Sequence, residues 1–464
     1  MNGPYDLVVI GGGSAGYAAA ATAVREGLSC AVVDGADELG GLCILRGCMP
    51  SKALLESSHR AEVVRRAAEF GLRVGWEGVD LPAVIGRKRR LVGEFAGYRQ
   101  GQLSDGRFEL VRGRGGFVDP HTLNVEMRGG GVRRVEGRAF LLATGSRVRR
   151  VDIAGLEEAG FWDSDQVLES VRLPESVAVL GGGAVAVELA SYYAGFGVRV
   201  VLIQRGGQLL RDVDADVASG LAAGLERRGV EVLCGTSLIG VERAGAGRRV
   251  VFVRGGERRE VEVEQLVCAL GREPMVDGLG LDVAGVKAGV GGVGVEGTQQ
   301  TNVAHIFAAG DVCGPFEVVH LAVQQGEVAA RNAARLLRGG GGLERMDYRL
   351  KLFAVFSRPE VAAVGLTERE AGVLGLEVDV ARYPFNDHGR SMVQGEEDGF
   401  VKLVVERASR KIAGAAVVGP SAAELIQEVV VAMHFGGTAG DLARVPHYHP
   451  TLSEIWTYPA EELA

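Results

Sequence analysis

The chain has 464 residues, of which 47% are hydrophobic and 24% are charged, the balance of a folded globular protein of about three domains. Its formal net charge of −8 gives no reason to expect bulk attraction to nucleic acid or to an anionic membrane surface. The six cysteines are scattered, which does not resemble a secreted disulfide framework. With neither a signal-peptide pattern nor an apolar run of about 18 residues, the sequence predicts a cytoplasmic protein.

The first predicted unit is a strand, a glycine-rich turn and a helix. An apolar run at 5–10 precedes GGGSAG, and a helix is expected over 15–26 before a second strand that ends at Asp34. Glycines in such a turn let the backbone approach a pyrophosphate, and the acid accepts hydrogen bonds from a ribose. The pattern therefore predicts a dinucleotide site formed by Gly11, Gly13, Ser14, Ala15, Gly16 and Asp34.

The next motif, GGLCILRGCMPSK, holds two cysteines, Cys43 and Cys48, that would close a very small loop on oxidation. Pro50 cannot donate a hydrogen bond one turn back, so we expect no regular helix through 44–47 and a helix that begins near Pro50. Cys48 would then lie at the positive end of a helix, where a thiolate is favoured, and Lys52 adds positive charge. Buried structural cysteines are one alternative. A zinc site is another, but it needs about four close ligands.

The strand–turn–helix pattern recurs at 177–203. Its fingerprint residues are Gly181, Gly183 and Ala186. The position that Asp34 occupies in the first unit is taken here by Gln204, and Arg205 and Arg211 follow. Loss of the acid together with a nearby arginine favours a 2′-phosphate, so the pattern favours NADPH (NADP) over NADH, with NAD possible. The alternative is that both arginines are solvated surface charges.

Two dinucleotide sites and a close cysteine pair suggest one circuit, from nicotinamide to flavin to disulfide. Here the chain resembles, nearly end to end, the class I pyridine nucleotide–disulfide oxidoreductases, the family that includes dihydrolipoamide dehydrogenase, glutathione reductase and mercuric reductase. Four further motifs carry the resemblance: LLATGS at 141–146, TNVAHIFAAGD at 301–311, FSRPEVAAVGLTE at 356–368 and HYHPTLSE at 447–454. They are similar to the family's interdomain link, second flavin motif, interface-domain start and catalytic-base motif.

The resemblance implies an α/β fold with two Rossmann-like dinucleotide-binding domains, for FAD and NAD(P), and a C-terminal α+β dimerisation domain. The expected segments are an FAD-binding domain at 1–147, an NAD(P)-binding domain at 148–275, a second FAD-binding or central part at 276–345 and a dimerisation domain at 346–464. The resemblance also implies a homodimer whose active site is shared between subunits.

The resemblance further assigns roles to single residues. Cys48 would be the thiol nearest the flavin, and Cys43 would exchange with the substrate. Lys52 would lie near the flavin, paired with Glu188, for which a helix-surface charge is the alternative. His449 would act as a general base held by a carboxylate.

The carboxylate expected to hold the base is Glu454. The remaining contacts expected with the cofactors come from Gly41, Lys52, Gly116, Ala143, Thr144, Gly145, Gly271, Gly310 and Asp311.

The expected function is a dihydrolipoamide dehydrogenase-like transfer of two electrons between NAD(P)H and a disulfide or dithiol, through FAD and the cysteine pair. The substrate is open among a lipoyl group, a small disulfide and a protein, because Leu42 and Arg46 depart from the family pattern. No metal site is expected. Two alternatives remain: a flavin NAD(P)H oxidase, quinone reductase or transhydrogenase with incidental cysteines, and a non-catalytic FAD-binding redox sensor. Cys313 could be a third redox thiol.

Overall fold

The computed structural model of the protein describes residues 3–464. Strands β1 to β22 are, in chain order, Tyr5–Ile10, Cys30–Asp34, Glu109–Asp119, Thr122–Met127, Val132–Leu142, Ser146–Val148, Ser176–Leu180, Arg199–Ile203, Val230–Leu233, Thr236–Ala244, Gly247–Arg254, Glu257–Val263, Gln265–Cys268, Arg272–Pro274, Ala288–Gly289, Gly292–Val293, Ile306–Ala308, Leu352–Val355, Glu360–Gly365, Val378–Pro384, Phe400–Glu406 and Ile412–Gly419. Helices α1 to α14 are Ser14–Arg25, Gly41–Arg46, Cys48–Arg65, Leu81–Leu103, Leu156–Ala159, Ser164–Glu169, Ala184–Gly195, Ala215–Arg227, Val319–Leu337, Glu368–Val373, Gly389–Gln394, Ala422–His434, Ala439–Arg444 and Thr457–Glu462. Short 3-10 helices occupy Ala67–Phe70, Phe385–Asp387 and Ser453–Trp456.

The chain divides into two compact units. Unit 1 comprises Met1–Ala53, Gly86–Arg149 and Arg272–Asp347, and unit 2 comprises Leu54–Ile85, Arg150–Gly271 and Tyr348–Ala464. The predicted segments 1–147, 148–275, 276–345 and 346–464 remain a prediction, and the first two residues of 1–147 lie outside the described part of the chain.

Unit 1 is built on a parallel sheet in the order β3-β2-β1-β5-β17. The second half of β3 and the first half of β5 pair antiparallel with β4, so each of these two long strands belongs to two sheets. Helix α1 can approach α9 closely because α1 is rich in alanine and α9 has a glycine at the contact. A Cβ on Gly326 would lie 2.2 Å from the carbonyl oxygen of Ala15, so a larger residue would force the helices apart.

Unit 2 repeats the first motif. Strands β7, β8 and β9 are parallel and β13 extends the sheet on the other side, with α7 connecting β7 to β8. Its other layers are antiparallel: the sheet β10-β11-β12 and the five-stranded sheet β18-β19-β22-β21-β20, which packs against α12. The apolar stretches of β21 and β22 bury Val401, Leu403, Val417 and Val418 completely. The predicted fold class, two Rossmann-like parts and an α+β domain, is confirmed.

In the described part of the chain, no helix is both long and apolar enough to cross a membrane.

Candidate active site

The turn between β1 and α1 in unit 1 consists of Gly11, Gly12 and Gly13, and we call it the glycine cradle. Gly11 has φ of +104°, and a Cβ there would lie 2.4 Å from the carbonyl oxygen of Ala143. Ser14, Ala15 and Gly16 form the first turn of α1, and a Cβ on Gly16 would collide with the carbonyl oxygen of Gly11 at 1.8 Å. Only glycine permits this turn to fold so tightly against both the neighbouring strand and the helix.

A second glycine contact closes the cradle. Gly41 begins α2 with φ of +76°, and a Cβ there would lie 2.7 Å from Cα of Gly13. Gly13 is the N-cap of α1, and no side chain among residues 3–464 caps that helix end by a hydrogen bond. The amide groups of a helix N-terminus and its partial positive charge suit a phosphate group.

Asp34 closes the end of β2. Its Oδ2 accepts a hydrogen bond from the backbone N–H of Gly12 at 2.8 Å, and its Oδ1 accepts one from Ala36 at 2.8 Å. Each carboxylate oxygen has a further lone pair, so the fixed carboxylate can also accept the two hydroxyl groups of a ribose. The predicted residues Gly11 to Asp34 are thus brought together at one edge of the sheet.

Asp311 lies after β17, on the same unit. Its Oδ2 accepts a hydrogen bond from the hydroxyl of Ser146 at 2.6 Å, and that hydroxyl in turn accepts one from Nε of Arg272 at 2.8 Å. The backbone N–H of Gly310 donates to the buried amide oxygen of Gln325 at 2.7 Å. Ser146, Arg272 and Gln325 were not among the predicted site residues. Ser146 ends the LLATGS motif, whereas Arg272 and Gln325 come from distant segments that carry no recognised motif.

Hydrogen bonds to Met275 hold the LLATGS segment at 141–146. The hydroxyl of Thr144 donates to the carbonyl oxygen of Met275 at 2.6 Å, and the N–H of Met275 donates to Gly145 at 2.9 Å. Gly116 has a packing reason to be glycine, since a Cβ there would lie 2.6 Å from the carbonyl oxygen of Gly278. Gly271 has φ of +104° and open space around it. Contacts of these residues with a cofactor stay a prediction.

The cysteine pair occupies the junction of two helices, and the predicted helix start was wrong. Helix α2 runs through Ile44 to Arg46, and α3 begins at Cys48 rather than at Pro50. The break falls at Gly47, whose φ of −128° and ψ of −113° are not helical. Pro50 is the third residue of α3, where its missing N–H would have had no partner inside the helix. Cys48 is therefore the first residue of α3, one turn before Lys52 on the same face.

The two sulfurs of the pair contact each other. Cys43 lies on α2 and is half-buried. Its hydrogen bond with Cys48 and then burial raise the pKa of the Cys43 thiol, whereas the charge of Lys52 acts in the opposite direction. A short loop that brings two sulfurs together can form and break a disulfide without moving the rest of the fold.

Unit 2 holds the second glycine turn. Gly181 has φ of +125°, and a Cβ there would lie 2.3 Å from the carbonyl oxygen of Ala269. In unit 1, a Cβ on Gly11 would lie equally close, at 2.4 Å, to the carbonyl oxygen of Ala143. The turn continues through Gly183, the N-cap of α7, to the buried Ala186. The two predicted fingerprints therefore fold in the same way.

The residue after β8 differs in charge from its counterpart in unit 1. A Cβ on Gly182 would lie 2.7 Å from Cδ of Gln204, so this amide stands where Asp34 stands beside Gly12. Arg205 is exposed, and the exposed guanidinium of Arg211 lies 3.3 Å from Asp212. The site thus lacks a carboxylate at the ribose position and has two arginines after it.

Glu188 is buried on α7, so the interpretation of a helix-surface charge was wrong. Its Oε1 accepts a hydrogen bond from the backbone N–H of Phe356 at 3.0 Å. The pairing of Lys52 with Glu188 joins residues of different units and stays a prediction.

His449 and Glu454 are brought together in unit 2. Nδ1 of His449 lies 3.0 Å from Oε2 of Glu454, and Nε2 of His388 lies 3.4 Å from the other oxygen of the same carboxylate. Glu454 is buried, whereas the His449 ring is exposed. His447 is engaged elsewhere, with Nε2 2.6 Å from Glu428. His388 was missed, since nothing near it in the sequence marks it.

The comparisons with known proteins decide the family. The model described as pyridine nucleotide-disulphide oxidoreductase matches residues 5–326, and the one described as the dimerisation domain of that family matches 353–460. The chain belongs to the pyridine nucleotide–disulfide oxidoreductase family.

Relatives of this oxidoreductase cover its whole length. Dihydrolipoyl dehydrogenase of Thermus scotoductus is 36% identical over 99% of this chain and 97% of its own. Dihydrolipoyl dehydrogenase of Geobacillus stearothermophilus is 34% identical over 98% of this chain and 95% of its own. Among solved structures, the HOCl-induced flavoprotein disulfide reductase RclA of Escherichia coli, as a Cu(II) complex, is 25% identical, with a TM-score of 0.86 and full coverage of both chains.

This oxidoreductase is an FAD-dependent NAD(P)H disulfide oxidoreductase, as predicted, and the comparisons favour that function over an oxidase or a redox sensor. The matched dimerisation domain supports a homodimer. The residues of unit 1 fit FAD: the helix end that follows Gly13 is uncapped by side chains of residues 3–464, and the Asp34 carboxylate has lone pairs beyond those that accept from Gly12 and Ala36.

Proposed function

We propose that this oxidoreductase passes two electrons between NADPH and a thiol–disulfide substrate through Cys43 and Cys48. The observation that carries the proposal is the contact between the two sulfurs at the junction of α2 and α3. Helix α2, which holds Cys43, begins at Gly41, and Gly41 packs against Gly13 in the glycine turn. We also propose that it works as a cytoplasmic homodimer with the active site shared between subunits.

The roles of the two thiols are those that the family resemblance implies, and the position of Cys48 agrees with its role. FAD, when bound, supplies a two-electron carrier between nicotinamide and sulfur. Cys48, at the positive end of α3 and one turn before Lys52, is the thiol whose ionised form the surroundings favour. Cys43, on the short helix α2, is the one that exchanges with the substrate.

Thiol–disulfide exchange with the substrate proceeds through a mixed disulfide. The Cys43 thiolate attacks a substrate disulfide, a mixed disulfide forms, and the second substrate sulfur leaves as a thiolate that takes a proton from His449. The Cys48 thiolate then attacks Cys43, which restores the protein disulfide and releases the other substrate sulfur. The reverse steps oxidise a dithiol.

We propose NADPH rather than NADH because of the charges of the residues that follow β8. Gln204 offers no carboxylate to repel a 2′-phosphate, and Arg205 and Arg211 follow it in exposed positions. A guanidinium binds a phosphate by charge-assisted hydrogen bonds, whereas a free ribose hydroxyl gains little from it.

The test of the proposal is the electron count of the holoprotein. Anaerobic titration with dithionite should consume one more two-electron equivalent per subunit in the native protein than in the Cys43→Ser, Cys48→Ser variant, because a disulfide takes up two electrons. Turnover of disulfides with NADPH should disappear in that variant. Cys313→Ser is the matched control, since its sulfur is half-buried and donates to the Gly310 carbonyl oxygen. Equal uptake and unimpaired turnover in the double variant would sink the proposal.

A further inference from the structure

His388 lies against the carboxylate that holds His449. Its Nε2 lies 3.4 Å from Oε1 of Glu454, whereas Nδ1 of His449 lies 3.0 Å from Oε2. The two histidines therefore face different oxygens of one carboxylate. All three residues belong to unit 2, so the arrangement is formed inside a single compact part of the chain.

The backbone and a neighbouring ring hold His388 in place. His388 is the N-cap of α11, where its N–H donates to the carbonyl oxygen of Phe385 at 3.2 Å and its carbonyl oxygen accepts from Met392 at 3.1 Å. Phe385 is completely buried in the core of unit 2, which anchors this turn. The ring of Tyr458 lies edge-on to the imidazole, with 6.4 Å between ring centres. The imidazole is thus fixed at its backbone and beside its ring.

The neighbours of His388 determine which ring nitrogen carries the proton. Nδ1 lies 2.8 Å from the hydroxyl oxygen of Ser391, and both side chains are fully buried. Burial lowers the pKa of His388 against the opposite effect of Glu454, which favours the neutral ring. Nε2 faces a carboxylate, which only accepts hydrogen bonds when ionised, so the proton of a neutral ring belongs on Nε2. The hydroxyl of Ser391 then donates to Nδ1.

The contact between His388 and Glu454 has room to shorten. At 3.4 Å it is longer than an ordinary N–H···O hydrogen bond, and the buried Nε2 has no other hydrogen-bond partner within residues 3–464. A buried N–H group without a partner is costly for the fold, so the carboxylate beside it is the group that satisfies it. Hydrogen bonds between catalytic groups are often long in the free protein and shorten in the reacting complex.

We propose that His388 is a positioning residue whose Nε2–H donates to Oε1 of Glu454 and so keeps Oε2 directed at His449. The inference rests on the proposed function, in which His449 moves the proton of thiol–disulfide exchange. With Oε2 held on Nδ1–H of His449, Nε2 of that ring has a free lone pair that can take a proton. Without His388, Oε1 would lose this donor inside the fold, and the carboxylate would turn away from the base.

The first test needs no turnover. In protein whose histidines carry nitrogen-15, two-bond proton–nitrogen correlation spectra distinguish the two neutral tautomers of each imidazole. The signals that disappear in His388→Gln belong to His388, and at neutral pH they should show a proton on Nε2. An unprotonated Nε2 would overturn the inference, because a lone pair facing the carboxylate cannot hold it in place.

The second test follows the reaction of the reduced protein with a disulfide by stopped-flow absorbance. His388→Met fills much of the same space but cannot donate, and it should slow this half-reaction about tenfold. His388→Gln places an amide N–H near the position of the imidazole Nε2 and should stay within about twofold of the native rate. Reduction of the flavin by NADPH should be unchanged in both variants. Val393→Ala, at an exposed position of α11, is the matched control.

A double-variant cycle separates positioning from general damage to the fold. In the His449→Ala background, His388→Met should cause no further slowing, because a residue that acts through Glu454 has no base left to position. The same slowing in both backgrounds, or equal slowing by Met and Gln, would overturn the inference.

The outcomes for the inference and for the proposed function are distinguishable. If the native protein reduces disulfides and His388→Met is equally fast, the inference fails and the proposed function stands. If the native protein reduces no disulfide, the proposed function fails, and the tautomer of His388 still decides whether this residue donates to Glu454.

Discussion

Nδ1 of His449 lies 3.0 Å from Oε2 of Glu454, with the histidine side chain 81% exposed and the glutamate side chain 11% exposed. The carboxylate is thus fixed inside unit 2, and the imidazole projects outwards with its Nε2 directed away from the fold. Burial lowers the pKa of His388, the second neighbour of the carboxylate, against the opposite effect of Glu454.

The base assignment predicts a change in one half-reaction only. His449→Ala should slow the reaction of the reduced protein with a disulfide about a hundredfold, because a positioned acid–base group contributes at least that much to proton transfer. Glu454→Gln should slow the same step less. Reduction of the bound flavin by NADPH should stay close to normal in both variants. Stopped-flow absorbance measures the two half-reactions separately, and His447→Gln is the matched control. Equal slowing of both half-reactions would contradict the assignment.

The glycine cradle and Asp34 could be predicted because they are close in sequence and each glycine has a local steric reason. The start of α3 could not be predicted from Pro50, since a proline at any of the first positions of a helix costs nothing. The break falls instead at Gly47, whose φ of −128° and ψ of −113° lie outside the helical region.

Other parts of the site had no signal in the sequence. Arg272 and Gln325 are far from Ser146 and Gly310 in the chain, and only the packed structure of unit 1 shows the hydrogen bonds between them. The same holds for His388 beside Glu454. Glu188 is the single charged residue of α7, and its burial follows from the tertiary packing around this otherwise uncharged helix.

Nucleotide preference should respond to the residue after β8. Gln204→Glu should lower kcat/KM for NADPH about tenfold, because a carboxylate there repels a 2′-phosphate, while kcat/KM for NADH should rise or stay. Arg205→Gln should weaken NADPH alone. Steady-state rates with both nucleotides at one disulfide concentration test this, with Arg199→Gln, at the other end of β8, as control. A native preference for NADH would show that the arginines are only solvated charges.

Lys402 should be a strong determinant of the stability of unit 2. Its side chain is 1% exposed, and Nζ lies 2.8 Å from Asp214 and 3.0 Å from Asp216, with Glu368 completing the cluster. Burial would lower the pKa of Lys402, but hydrogen bonds to these acids raise it above its usual value. Lys402→Met leaves Asp214 without a cationic partner among residues 3–464 and leaves Asp216 and Glu368 with Arg382 alone, which should cost about 3 kcal/mol of unfolding free energy.

Denaturant unfolding followed by tryptophan fluorescence measures the effect of Lys402→Met, because all three tryptophans, Trp76, Trp162 and Trp456, belong to unit 2. Arg407→Met is the control. It breaks an exposed pair with Asp379, whose N–O distance is 3.0 Å, and should cost much less than Lys402→Met. Equal losses in the two variants would show that the buried cluster contributes no more than a surface pair.

His59 should make the stability of unit 2 fall on acidification. Burial and then the charge of Arg358, which contacts the ring, lower the pKa of His59 to about 4, against the opposite effect of Glu62 and Glu56. The ordinary pKa of histidine is about 6.5, so between these values the unfolded chain binds a proton that the folded chain refuses. The contribution is complete above about pH 6.5 and is lost as the pH falls towards about 4.

Because carboxylates also titrate in this range, the informative quantity is the difference between the native protein and His59→Gln. The native protein should lose melting temperature relative to the variant as the pH falls from 7 to 4, and the difference should be constant above pH 7. Differential scanning fluorimetry across this range measures it, with His434→Gln on α12 as a second histidine variant for comparison. A difference that does not change with pH would mean that His59 is protonated equally in both states, so that its contact with Arg358 does not set its charge.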